Sequence, residues 1–136
     1  MAYLPDNLIM KKLRSILIVD DDQTSNLISR MVLNPMDVAD SIEILDNGQD
    51  AKDHFEIASD FPELVLLDIN MPFMSGFEFL DWYEKTGLTG KAKFAMFTSS
   101  GRLEDKDRAN SYSDVIGYIE KPLSKEKMEN ILACVD

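Results

Sequence analysis

The chain has 136 residues, 45% hydrophobic and 29% charged, which suits one soluble globular domain with a real core and is too short for two ordinary ones. A formal net charge of −11 argues against direct nucleic-acid binding, which needs a basic face toward phosphates, and no apolar run reaches membrane-spanning length. Cys134 is the only cysteine, so an internal disulfide framework and a cysteine-based metal site are both excluded.

Residues 1–13 read as an N-terminal extension, and residues 14–136 as the domain. Pro5 and Asp6-Asn7 lie outside any core pattern, with Leu8, Ile9 and Leu13 as possible points of order. Lys11, Lys12 and Arg14 accompany no apolar core of signal-peptide type, so a cytoplasmic location is expected. Ser15–Val19 is a buried-type strand that runs into Asp20-Asp21-Asp22. Leu27, Ile28, Met31 and Val32 then recur at helical spacing, with Asp22 or Thr24 as N-cap and Asn34-Pro35 as the stop. Ser41–Leu45 is a second strand, ended by the turn signal Asp46-Asn47-Gly48. Ala51, Phe55 and Ala58 mark a short amphipathic helix ahead of Asp60-Phe61-Pro62, and His54 falls on its surface.

Leu64–Leu67 is an unbroken apolar run, the pattern of a strand buried on both faces. Pro72 cannot donate to a ladder and biases Met71 away from helix, so this strand ends near Asp68. Phe77, Leu80 and Tyr83 form the next helical stripe, with Phe79 and Trp82 off it and Gly87 as the stop. Lys93–Phe97 is a fourth strand, finishing at Thr98-Ser99-Ser100-Gly101. Residues 102–111 are highly charged, with only Leu103 and Ala109 apolar, so a helix there would be weakly anchored. Val115–Glu120 is a fifth strand running into Lys121-Pro122. Ser124 caps a last helix with the stripe Met128, Ile131, Leu132 and Val135, where Cys134 reads as ordinary packing. The methionines read as core filler. Strand and helix alternate five times, the pattern of a doubly wound parallel α/β sheet with helices on both faces.

In a parallel sheet the carboxyl ends of the strands share one edge, where ligands bind. Asp20, Asp21, Asp68, Thr98 and Lys121 would converge there. Two like charges roughly 5 Å apart repel by about 3 kcal/mol at an effective dielectric of about 20, so this carboxylate cluster calls for cations. Lys121 is one. Oxygen-only ligands point to a hard divalent ion, Mg²⁺ with Mn²⁺ able to substitute. A carboxylate can attack phosphorus and form an acyl phosphate, with the metal and Lys121 neutralising the oxygens and Thr98 donating to one of them.

Four segments together carry a family resemblance: Ile16–Asp22, Leu66–Gly76, Phe97-Thr98-Ser99 and Gly117–Pro122. The chain resembles the receiver domain of two-component response regulators, in a single-domain, chemotaxis-regulator-like form, over about residues 14–136. The resemblance implies a five-stranded flavodoxin-like sheet of order 2-1-3-4-5. It implies Asp68 as phospho-acceptor, Asp20 and Asp21 as the acidic pair with Asp21 the direct metal ligand, and Asn70 binding Mg²⁺ through its backbone carbonyl. Thr98 matches the switch hydroxyl, Ser99 the small residue after it, and Lys121 the family's lysine, followed by a proline that is cis in many members. Tyr118 matches the aromatic switch residue, its bland alternative being a half-packed edge tyrosine. Asn70 and Ser100 would tune hydrolysis of the acyl phosphate.

The implied partners are a sensor histidine kinase or histidine phosphotransfer protein and an output protein that reads the fourth helix, fifth strand and fifth helix. The implied activity is a phosphorelay switch rather than an enzyme, with slow self-dephosphorylation, and the alternative is a receiver fragment of a longer regulator. A rival lies in Asp20-Asp21-Asp22-Gln23-Thr24, which resembles the D-x-D-x-T motif of haloacid-dehalogenase-like phosphatases, with Asp20 as nucleophile and Asp22 as acid/base. It lacks an acidic pair after Lys121 and leaves Asp68 without a role.

Overall fold

The structure is a computed structural model, and it describes residues 12–135. The readings of Pro5, Leu8 and Ile9 lie outside the described residues. Ten elements alternate along the chain: β1 (Leu13–Val19), α1 (Gln23–Met36), β2 (Ala39–Leu45), α2 (Gly48–Ile57), β3 (Leu64–Leu67), α3 (Gly76–Lys85), β4 (Lys93–Thr98), α4 (Leu103–Asn110), β5 (Val115–Glu120) and α5 (Lys125–Leu132). The five strands are all parallel, in the order β2-β1-β3-β4-β5, as expected. Every residue of β3 is buried, which is why its sequence shows no polar alternation.

Alternate strand residues feed two cores. Leu17, Val19, Val65, Leu67, Phe94 and Met96 face α2 and α3, and Ala109 of α4 joins them. Ile16, Ile18, Leu64, Leu66, Ala95 and Phe97 face α1 and α5. The first core is rich in aromatic rings, with Tyr83 edge-on to Phe94 at 4.9 Å between centroids. Phe79 belongs to it and is fully buried, although it lies off the simple stripe. The reason is tertiary: α2 flanks α3, so α3 buries a wider arc than the sheet alone would cover. Trp82 is half-buried against Phe79, with the Lys52 ammonium 5.7 Å from its ring.

Only half of the apolar stripe expected for α1 turns inward: Ile28 and Val32 are half-buried, Val32 against the core. Leu27 and Met31 are 60% and 66% exposed, while Ser25, Ser29 and Leu33 face inward. Small serines let the helix backbone come close to its neighbours, a choice that hydrophobicity alone does not signal. Pro35 lies inside the final turn instead of after it, and Asp37 in the left-handed region (φ 52°) ends the helix. Only one ladder bond, to the Met31 carbonyl, is forgone at so late a proline. α3 ends as expected at Gly87, whose φ of 85° permits the paired bonds from Gly87 N to Glu84 O and Leu88 N to Tyr83 O. α5 stops at Leu132, so Cys134 is exposed beyond it, while Val135 still packs on the core. No helix among the described residues is long and apolar enough to cross a membrane.

Candidate functional site

Register brings the strand ends together. Backbone bonds from Asp20 N to Leu45 O, Asp68 N to Val19 O and Lys121 N to Thr98 O carry the ladders one residue past the strands. The side chains at those positions therefore share one edge of the sheet. Asp20 and Thr98 are fully buried and Asp68 is 5% exposed, whereas Asp21 is exposed. Lys121 Nζ lies 2.8 Å from Asp20 Oδ2 and 3.1 Å from Asp68 Oδ2.

The remaining oxygens are held locally. Asp20 Oδ1 accepts from the Asp22 amide at 3.0 Å, and Asp68 Oδ1 accepts from the Ile69 amide at 2.8 Å. Asn26 Nδ2 donates to the Asp20 carbonyl at 2.9 Å, fixing the β1–α1 turn. The β3–α3 loop folds back tightly: Gly76 N donates to Ile69 O at 2.9 Å, and a side chain at Gly76 would meet the Asp68 carbonyl. Ser75 and Glu78 then start α3 with a reciprocal capping box.

Burial is the main reason the Asp68 carboxyl sits above its ordinary value of 3.8. Lys121 opposes that shift and Asp20 adds to it. For Lys121 burial alone would lower the ammonium's pKa, but its close contacts with Asp20 and Asp68 and its attraction to both hold it above 10.5. One ammonium thus serves two buried carboxylates. Asp20 Oδ2 is buried without a hydrogen bond of good geometry, so its compensation from Lys121 is Coulombic. One oxygen each from Asp20, Asp21 and Asp68 lies within 4.8 Å of the others. An under-satisfied oxygen within an all-oxygen donor set fits a hard divalent cation.

The chain matches the family described as response regulator receiver domain over residues 16–133. It belongs to that family. The rice two-component response regulator ORR41 (Oryza sativa subsp. japonica) is 30% identical over 123 residues, 90% of this chain and 94% of that protein. Other curated relatives are longer, and the chain spans 32% of one and 50% of another. A two-component response regulator from Cytophaga hutchinsonii superposes with a TM-score of 0.83 at 25% identity, covering 92% of this chain and 98% of that one. The Mn²⁺-bound form of the response regulator Rcp1 shares the fold at a TM-score of 0.71 and 22% identity, over 88% of each chain. Receiver domains are signalling switches that work with histidine kinases and output proteins.

In this receiver Asp20, Asp21, Asp68, Thr98 and Lys121 converge as the strand ends required. Asn70 is exposed on the rim of a cleft of about 340 Å³ shared with Ser99, Ser100, Arg102 and Asp105. The Lys121-Pro122 peptide is cis. Asp22, the acid/base of the phosphatase reading, instead caps α1 by accepting from Thr24 N and Ser25 N. That reading fails with the family match.

Two arrangements were not legible in the sequence. Ser100 is a hub: its amide reaches Thr98 Oγ1 at 3.4 Å, its carbonyl accepts from Tyr118 at 2.8 Å, and its hydroxyl donates to Asp105 of α4 at 2.7 Å. The second joins α4 to α3. Tyr112 donates to Asp81 at 2.5 Å and stacks on Phe77, while Arg108 pairs with Asp81 at 3.2 Å. Asp81 and Tyr112 are 31 residues apart, so no local pattern could link them.

Proposed function

We propose that this receiver accepts a phosphoryl group on Asp68 from a phosphohistidine on a sensor histidine kinase or histidine phosphotransfer protein, in the cytoplasm. The supporting observation is the pairing of Lys121 with both Asp20 and Asp68 at the floor of a recess. A carboxylate oxygen of Asp68 attacks phosphorus, the phosphorus–nitrogen bond breaks, and the imidazole leaves with the electron pair. Lys121 stabilises negative charge on the phosphoryl oxygens, and Thr98 donates its hydroxyl to one of them. Ser99, exposed between two clefts, leaves room for the group.

Asp20, Asp21, Asp68 and the Asn70 carbonyl would hold Mg²⁺, or Mn²⁺ as in the Rcp1 structure. That ion supplies charge neutralisation at the reacting oxygens. Turning Thr98 toward the phosphoryl group releases the Ser100 amide, and Ser100 passes the change to Tyr118 and α4. This shifts population between two states of the α4–β5–α5 face. There a groove of about 470 Å³, lined by Lys106, Tyr118, Glu120, Lys127 and Ile131 among others, would receive the output protein. Exposed Asn70 and half-buried Ser100 would set the rate of self-dephosphorylation.

Intact mass after incubation with acetyl phosphate tests the reading. One phosphoryl group is expected, dependent on Mg²⁺, abolished by chelator and absent from Asp68→Asn. Stable label on Asp68→Asn would place the acceptor elsewhere.

A further inference from the structure

The backbone that carries Lys121 is short of partners of its own. Lys121 N donates to Thr98 O at 2.9 Å, so the Glu120 carbonyl of the same planar unit points the other way, off the free edge of β5. β5 is the last strand of the sheet, and no further strand lies beyond it to donate to that carbonyl. Pro122 follows with no N–H to contribute. One side chain reaches back over this turn: Lys127 Nζ donates to Glu120 O at 2.8 Å and to Pro122 O at 3.0 Å. The carbonyls before and after Lys121 are thus tied to a single ammonium.

Lys127 is itself held. It is the third residue of α5, half-buried, and its amide donates to the Ser124 cap at 3.2 Å. For the helix alone a lysine is a poor choice there. The first turn faces the positive end of the helix dipole, and a glutamate at this position would complete a capping box with Ser124, as Glu78 does with Ser75 in α3. The two carbonyl contacts offset that cost within the fold. What depends on them is the aim of Lys121. Its Nζ sits 2.8 Å from Asp20 and 3.1 Å from Asp68 at the end of a flexible four-carbon stem, so a small displacement of the backbone swings it off both.

We propose that Lys127 is a positioning residue for Lys121: its ammonium fixes the turn 120–122 so that the Lys121 ammonium meets the phosphoryl oxygens on Asp68. Lys127 touches neither the acceptor nor the phosphoryl group, and acts only through the backbone it holds. This rests on the acceptor role of Asp68 proposed above. The test measures the rate of acetyl phosphate labelling, the melting temperature and the Mg²⁺ affinity of wild type, Lys127→Glu, Lys127→Arg and Lys125→Glu.

Lys127→Glu completes the capping box and gives up the hold on the carbonyls. It is expected to melt no lower than the wild type, to bind Mg²⁺ no more weakly, and to be labelled about tenfold more slowly. Lys125→Glu makes the same charge change at an exposed position two residues away and is expected to keep the wild-type rate. Lys127→Arg, still able to donate to both carbonyls, is expected to keep most of it. Labelling of Lys127→Glu at the wild-type rate would overturn the role, as would equal slowing in Lys125→Glu or in Lys127→Arg. A melting temperature that falls along with the rate would overturn it too, leaving Lys127 as a support of α5. Failure of the reading beneath looks different: Lys121→Met would be labelled as fast as the wild type, or the wild type would carry its label away from Asp68 or take none from either acetyl phosphate or a charged histidine phosphotransfer protein.

Discussion

Asp68 and Asp20 share one ammonium in a buried recess, and that imbalance sets the behaviour of the metal-free protein. A carboxyl held above 3.8 in the fold binds its proton more tightly folded than unfolded. Its penalty is absent below that pH, grows as pH rises past it, and is complete once the folded group has ionised. Asp68→Asn is therefore expected to stabilise the metal-free protein at pH 7, because the burial cost of the carboxylate, with repulsion from Asp20 added, outweighs its attraction to Lys121. The advantage should shrink as pH falls toward 4, which urea unfolding in chelator at several pH values would measure. Lys121 behaves oppositely: held above 10.5, it contributes stability at neutral pH that is lost only as pH rises through its folded value. Mg²⁺ at ten times its dissociation constant should add about 1.4 kcal/mol to the wild type. Thermal melts should show little of that gain in Asp21→Asn, which keeps the buried pair and removes the exposed ligand.

The element with the least intrinsic support is α4. It buries only Ala109, has no side-chain N-cap bond, and exposes Leu103. Its two ends are tied to different things. Asp105 binds Ser100 beside Thr98, and the Arg108–Tyr112 end is clasped to Asp81 and Phe77 of α3. A helix so held can change its tilt when one tie changes and the other does not. Tyr112→Phe keeps the stack on Phe77 and removes the bond to Asp81, so a loss of about 1 kcal/mol is expected. Hydrogen exchange should show the cost as faster exchange in residues 103–110, with β3 unchanged. Equal acceleration in β3 would mean that the clasp supports the whole fold and not α4 alone.

Across the whole molecule, a net charge of −11 opposes compaction, and the exposed ion pairs return little of that energy. Raising salt from 10 to 150 mM screens the repulsion, so the metal-free melting temperature should rise. With Mg²⁺ bound the same change should be smaller, because the densest part of the acidic field is then neutralised. A melting temperature that falls with salt would show that the exposed pairs outweigh the net repulsion.

The order of elements was legible because each buried strand is a short unbroken apolar run followed by a polar residue of site type. Asp68, Thr98 and Lys121 could be placed at one edge since parallel strands leave no other arrangement for their ends. Asp22 as N-cap, Gly87 as the stop of α3 and Ser124 as the cap of α5 were local matters, decided by side-chain oxygens or backbone freedom within a few residues. What depends on a neighbouring element could not be read in this way. Phe79 is buried because α2 covers the flank of α3, and Ser29 faces inward while Leu27 faces out because α1 sits close on its neighbours. The hub at Ser100 and the clasp at Asp81 join residues distant in the chain. Sequence by itself determined which residues form strands and which strand ends meet at one edge, since both follow from local hydrophobicity and parallel geometry. Only the tertiary structure decided which helix faces are covered and how Ser100 is tied to α4, because both depend on packing partners that no local window contains.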